Sequence, residues 1–204
     1  MNELSYRVIL ASASPRRRDI LTELGVPFTV CVSEADESCD LADPGARVEA
    51  IAYRKCEATR NSLSLCGDEL IIASDTLVSV DGEFLGKPAD AADAARMLGL
   101  LSGRVHAVTS GIAVFYKGRT VTSHDTTYVR FHPLTDADIQ AYIATEEPFG
   151  KAGSYAIQGG AAAFVSDVKG EFRNVVGLPV RCLYDTVLHE FGIGLFDEPL
   201  REES

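Results

Sequence analysis

Residues 104–131 read RVHAVTSGIAVFYKGRTVTSHDTTYVRF, two long runs rich in β-branched and aromatic residues that meet at Lys117-Gly118. That composition, held over so many residues, predicts two long strands joined as a hairpin. A second stretch, LIIASDTLVSVDGEFLGK at 70–87, repeats the pattern. It reads as a strand over Leu70–Val80 that turns at Asp81-Gly82, the strongest short hairpin signal. Helical periods lie around these hairpins. Ser14 as N-cap and Pro15 at N1 open a helix that carries Ile20, Leu21 and Leu24 and stops at Gly25. Asp43-Pro44 opens another, with Val48, Ile51 and Ala52 on one face. Ala89–Leu101 sets Ala94, Met97, Leu98 and Leu101 at helical spacing. Thr135 to Asp138 has the form of a capping box ahead of Ile139, Tyr142 and Ile143. Pro179–Glu190 reads as a last helix, with Gly192 as its stop, and Val8–Ser12 and Ala161–Val168 as shorter strands. The helices fall too irregularly for a doubly wound parallel sheet. The pattern is mixed α/β.

Composition bounds what such a chain can do. Its 204 residues suggest one domain over 1–195, with room for two lobes, and an acidic, solvated tail over 196–204. The 46% hydrophobic and 24% charged content is that of a globular chain and excludes disorder. A net charge of −11 disfavours duplex nucleic acid and anionic membrane, because a phosphate backbone needs a basic footprint. No apolar run approaches the ~18 residues of a membrane helix. The opening MNELSYRVILASASPRRR places its arginines after its apolar run, the wrong order for a signal peptide. Cys31, Cys39, Cys56, Cys66 and Cys182 are odd in number and widely spaced, so neither a disulfide framework nor a zinc site is expected. Reduced thiols in the cytoplasm are the simplest reading.

Three places break local rules. Arg16, Arg17 and Arg18 crowd the first turn of a helix, where the macrodipole disfavours cations. They could be a solvated basic turn paired with Asp19 and Glu23. Behind a strand and beside the Ser12 and Ser14 hydroxyls, they read better as a phosphate cradle. Asp75 interrupts an apolar strand, where a carboxylate either faces water from an edge position or is costly unless paired, hydrogen-bonded or metal-bound. Counting back from the Asp81-Gly82 turn pairs Thr76 with Lys87 and so brings Lys87 beside Asp75. Lys55 sits where the stripe begun at Val48 expects a hydrophobe, although snorkelling at a stripe edge is common. Other signals are weaker. Glu37 would be an ordinary loop carboxylate, and the glycine-rich GKAGSYAIQGG at 150–160 has neither Walker nor dinucleotide spacing. Ser166 to Lys169 matches S-x-x-K without its companion motifs, and the four histidines lack metal-ligand spacing.

The anomalous residues fall in motifs that together resemble the Maf family of nucleotide pyrophosphatases. LASASPRRRDILTELG resembles its opening signature, followed in order by the acidic loop ending at Glu37, the helix around Lys55, ASDT at 73–76, LGKPAD at 85–90, LSGRVH at 101–106, KAGSYAIQGG and NVVGLP. The resemblance runs from about residue 8 to residue 190. Ala13 stands where glycine is usual, and Gly150 where an aspartate commonly precedes KAG. The resemblance implies a fold similar to inosine triphosphatase, an elongated mixed β-sheet with surrounding helices, two lobes and a central cleft. It implies hydrolysis of nucleoside triphosphates to monophosphate and pyrophosphate with a divalent cation, Mg²⁺ or Mn²⁺. By motif match, phosphate and metal roles fall on Ser12, Glu37, Lys55, Asp75 and Lys87, with Glu37 and Asp75 toward the metal and Asp75 as proton acceptor. Base choice falls on Arg16, Thr76 and Gln158, in the pattern of members active on dTTP and UTP. Modified pyrimidine nucleotides are a further substrate class, and homodimers are common in the family. The reading from another class is a non-catalytic nucleotide-binding regulator of cell division, which would need phosphate-binding cations but no carboxylate placed to activate water.

Overall fold

A computed structural model describes residues 6–32 and 34–195, so the expected acidic tail from residue 196 lies outside the described residues. The chain begins with β1 (Arg7–Leu10), α1 (Pro15–Glu23), β2 (Phe28–Val30) and α2 (Pro44–Ser62). Next come β3 (Glu69–Val80), β4 (Glu83–Leu85), α3 (Ala91–Leu101), β5 (Val105–Tyr116), β6 (Arg119–Phe131) and α4 (Asp136–Ile143). Two 3₁₀ turns (Ala152–Ser154 and Gly160–Phe164) lead to β7 (Val165–Lys169), α5 (Phe172–Val176) and α6 (Val180–Phe191). The strand order is β2-β1-β3-β5-β6-β7, with β4 paired to β3 off this path. β1 runs parallel to both β2 and β3, whereas β3–β4 and β6–β7 are antiparallel. The sheet is therefore mixed, as the irregular helix spacing requires.

Local chemistry explains the elements that the sequence announces. Asp81 and Gly82 both take positive φ, as do Lys117 and Gly118. Two left-handed residues in a row form the primed turn that matches strand twist, and Val80 pairs with Glu83 as expected. Thr135 and Asp138 form the full capping box of α4. Gly192, at φ 68°, ends α6 in the left-handed conformation.

Two expectations are corrected. The β3–β4 ladder stops at Val78↔Leu85 and is not continued to the expected Thr76–Lys87 pair. The Gly86 carbonyl instead accepts the Gly153 N–H at 3.0 Å. Gly153 packs so tightly on Val78 that a Cβ there would stand 2.9 Å from Val78 Cγ1. The segment around Gly153 thus packs against β3 and bonds the chain where β4 ends. The strand expected over Ala161–Val168 begins as the 3₁₀ turn Gly160–Phe164 and becomes extended only at Val165. The short elements β2 and α5 carry too few residues for a periodicity to reveal them.

The chain divides into two compact units. The first contains residues up to 75, 110–125 and those from 177 on; the second contains 76–109 and 126–176. In the first, Ile9, Ala11, Ala52, Cys56, Ile71, Ala73, Ala113 and Phe115 form a buried cluster between strands and α2. Gly111 lets α2 come close, since a Cβ there would lie 2.6 Å from the Val48 carbonyl carbon. Glu49 and Glu57 on α2 accept hydrogen bonds from Thr122 (2.6 Å) and Thr120 (2.7 Å) on β6, which sets the helix's position along the strand. In the second unit, His106, Phe131 and Tyr155 stack edge-on around 5 Å apart, all buried.

Candidate active site

In the first unit, β1 delivers the chain to Ser12. The Ala11 N–H still bonds the Ile72 carbonyl, and the chain then leaves the sheet for α1. The buried Ser12 Oγ accepts the Ser14 N–H at 3.2 Å and the Arg17 Nη1 at 3.0 Å. With both lone pairs engaged, its own proton is left to donate outward. Ser14 makes no side-chain cap on α1, and no acid of the helix itself sits in the first turn of Pro15–Glu23 to offset its positive end. Burial lowers the Arg16 guanidinium below its ordinary pKa. It pulls Arg17 down to about 10, partly opposed by the charges of Asp75 and Glu37. Both remain cations at neutral pH.

Lys55 occupies the centre of this region. Its Nζ lies 2.7 Å from Asp75 Oδ1 and 2.9 Å from Glu37 Oε1. The Lys55 and Asp75 side chains are only 16% and 17% exposed, against 55% for Glu37. Asp75 sits where the fully buried first half of β3 gives way to half-buried residues, so the carboxylate is paired at a boundary rather than sunk in the core. Lys55 lies at the rim of the α2 stripe of Val48, Ile51, Ala52 and Cys56. Glu37 is held there by its neighbours. Asp36 accepts from the Ser38 N–H and hydroxyl, and Arg54 Nη1 donates to the Ser38 carbonyl at 2.7 Å. Arg16, Arg17 and Lys55 against Glu37 and Asp75 leave one excess positive charge, which suits a polyanion.

In the second unit, Thr76 follows Asp75 along β3, and Lys87 lies exposed just after β4. Gln158 is exposed at a turn closed by the Gly159 N–H to the Ala156 carbonyl at 3.0 Å. Sequence reasoning left Arg17 undistinguished within its triplet and missed Arg54. Arg17 was visible only as one of three arginines. It stands out in the structure because its Nε donates to the Gly177 carbonyl at 2.7 Å, and the same carbonyl accepts the Ser74 hydroxyl at 3.1 Å. Arg54 had no signal beyond its place next to Lys55. An open groove lined by Val121, Ser123, Cys182 and His189 in the first unit contains none of these residues.

Known proteins resemble this chain over most of its length. The sequence profile of one family, described as "Maf: Maf-like protein", matches residues 7–190. A protein of Symbiobacterium thermophilum is 47% identical over 193 residues, covering 93% of this chain and 96% of its own length. One of Moorella thermoacetica is 46% identical over 93% of this chain and 97% of its own. One of Bacillus cereus is 43% identical over 85% of this chain and 90% of its own. Each of the three is named dTTP/UTP pyrophosphatase.

Proposed function

The chain belongs to the Maf family, and from that premise we propose that it is a nucleoside triphosphate pyrophosphatase acting on dTTP and UTP. The observation that carries the reading is the half-buried Lys55–Asp75 pair beside Arg17 and Ser12. It combines cations for a polyphosphate with a carboxylate that can take a proton. Arg16, Arg17 and Lys55 neutralise phosphate oxygens, and Ser12 donates its hydroxyl proton to one of them. Asp75 is the general base that accepts the proton of the attacking water. Thr76 and Lys87 contribute to substrate binding. Gln158 carries both a donor and an acceptor, so it can pair with the N3–H and carbonyl edge shared by thymine and uracil. Modified pyrimidines that keep this edge belong to the same substrate class.

The donor set also fits a divalent cation. Glu37 Oε1 and Asp75 Oδ1 converge on one ammonium, so two hard oxygens already meet at a site for positive charge. Two carboxylates beside substrate phosphates are the usual protein contribution to Mg²⁺ or Mn²⁺ binding. Glu37 and Asp75 would hold the ion. When bound, it would polarise the phosphoryl group and offset charge on the leaving pyrophosphate.

Among the described residues no helix is long and apolar enough to cross a membrane. All five cysteines are free thiols. These features support action in the cytoplasm, where nucleoside triphosphates are abundant. The reading includes the family's homodimer, which light scattering on the purified protein checks. The deciding experiment is pyrophosphate release from a panel of nucleotides with and without Mg²⁺ or Mn²⁺. Release led by dTTP and UTP is expected. Nucleotide binding without any release would favour the regulatory reading instead.

A further inference from the structure

The turn that presents Gln158 is tied down on both sides by the same pair of side chains. Before it, the Ala156 N–H donates to the Tyr142 hydroxyl at 3.1 Å. That hydroxyl donates to Glu147 Oε1 at 2.7 Å. After the turn, the Gly160 N–H donates to Glu147 Oε2 at 3.1 Å. The carboxylate also lies directly against Gly159, where a Cβ would stand 2.3 Å from Glu147 Oε1. The pair is itself anchored. Tyr142 is buried on α4 with its ring edge-on to Phe164 at 5.1 Å, and the Glu147 N–H bonds Thr145 Oγ1 at 3.2 Å. Burial opposes ionisation of Glu147, but the hydrogen bonds it receives outweigh that and hold its pKa below the usual carboxylate range. It therefore acts as an ionised acceptor at neutral pH. Gln158, by contrast, is exposed, between the buried Ile157 and a partly exposed Gly159.

We propose that Glu147 and Tyr142 are positioning residues for base choice, fixing the backbone at Ala156 and Gly160 so that the Gln158 amide meets a pyrimidine edge in one orientation. The proposal rests on the reading of Gln158 as the base-contacting residue and extends it to residues that touch no substrate. The physical ground is preorganisation. An amide that swings freely can offer its donor or its acceptor to either kind of base edge, whereas a fixed one rejects the mismatched edge.

Tyr142→Phe removes both hydrogen bonds of the hydroxyl and keeps the ring, while Glu147→Gln keeps the size of the side chain and loses its charge. Steady-state pyrophosphate release with UTP, dTTP and ATP is expected to show KM for UTP raised and kcat within about twofold of the wild type. The UTP-over-ATP ratio of kcat/KM should fall about tenfold, the worth of one misaligned hydrogen-bonded contact. In a Gln158→Ala background, which lowers the ratio by itself, adding either substitution should lower it no further. A loss of kcat for all nucleotides alike, with the ratio intact, would mean a merely structural role and overturn the proposal. So would a further fall of the ratio in the Gln158→Ala background, since the pair would then act by another route. If Gln158→Ala lowers the ratio but neither Tyr142→Phe nor Glu147→Gln does, the positioning role falls and the reading of Gln158 stands. If Gln158→Ala leaves the ratio unchanged, the reading of Gln158 falls and takes the positioning role with it. The two substitutions lie on different elements, so misfolding of one variant leaves the other to decide.

Discussion

Lys55 Nζ stands 2.7 Å from Asp75 Oδ1, with both side chains more than four-fifths shielded from water. Such a pair can do two things, and kinetics distinguishes them. If Asp75 only holds Lys55 in place, its loss disturbs binding and raises KM. If it is the base, Asp75→Asn lowers kcat and kcat/KM together, by ~10²–10⁴-fold. The second outcome is expected, with saturating metal and a fold confirmed by circular dichroism. A near-normal kcat in that variant would remove Asp75 from the chemical step.

Gln158→Glu replaces a donor–acceptor amide with an acceptor. An ionised carboxylate cannot satisfy a carbonyl on the base, so kcat/KM for dTTP and UTP should fall about tenfold to a hundredfold. Bases that present donors should lose less. Equal turnover of ATP, GTP and UTP by the wild type, unchanged in the variant, would refute the assignment.

His106 makes stability depend on pH. It is 1% exposed, and its Nε2 is 2.8 Å from the Tyr155 hydroxyl, while Nδ1 has no partner among the described residues. Protonation would bury a charge and an unmatched N–H, and burial pulls the imidazole from 6.5 to about 4. The unfolded chain takes up the proton first as pH falls. Stability is therefore lost between about pH 6.5 and pH 4, by about 3 kcal/mol from this residue, and is fully present above that window. Urea denaturation across that range should show a shallower loss in His106→Phe than in the wild type. Parallel curves would show that His106 does not contribute.

Two glycines should respond with opposite signs. At Gly111 a Cβ would meet the α2 backbone at 2.6 Å, with no flexible side chain to give way. Gly111→Ala should cost about 1–3 kcal/mol and, by displacing the helix that carries Lys55, raise KM as well. Gly99 is exposed within α3 and has nothing within 4 Å of its Cβ direction. Gly99→Ala should stabilise by about 0.5–1 kcal/mol through helix propensity alone. Chemical denaturation of the two variants checks both signs, and a stabilising Gly111→Ala would contradict the close approach of α2.

What the sequence by itself determined was whatever depends on a few neighbouring residues. The Asp81-Gly82 and Lys117-Gly118 turns, the Thr135–Asp138 box and the Gly192 stop are set by local sterics and short hydrogen bonds, which operate before any tertiary contact exists. The misfit of Asp75 and Lys55 with their surroundings was also legible, because a charge in an apolar pattern needs a partner wherever the chain goes. Which partner it finds is another matter. Register counted from the turn pointed Asp75 to Lys87, whereas the ladder ends at Val78↔Leu85 and the Gly86 carbonyl just beyond it is bonded by Gly153, 67 residues on. Lys55 reaches Asp75 because α2 settles on the strands at Gly111, and Arg17 is singled out from its triplet by a carbonyl 160 residues away. Pairings of that kind are settled by close packing, in which one missing Cβ or one occupied carbonyl redirects a side chain, and only the folded chain contains that information.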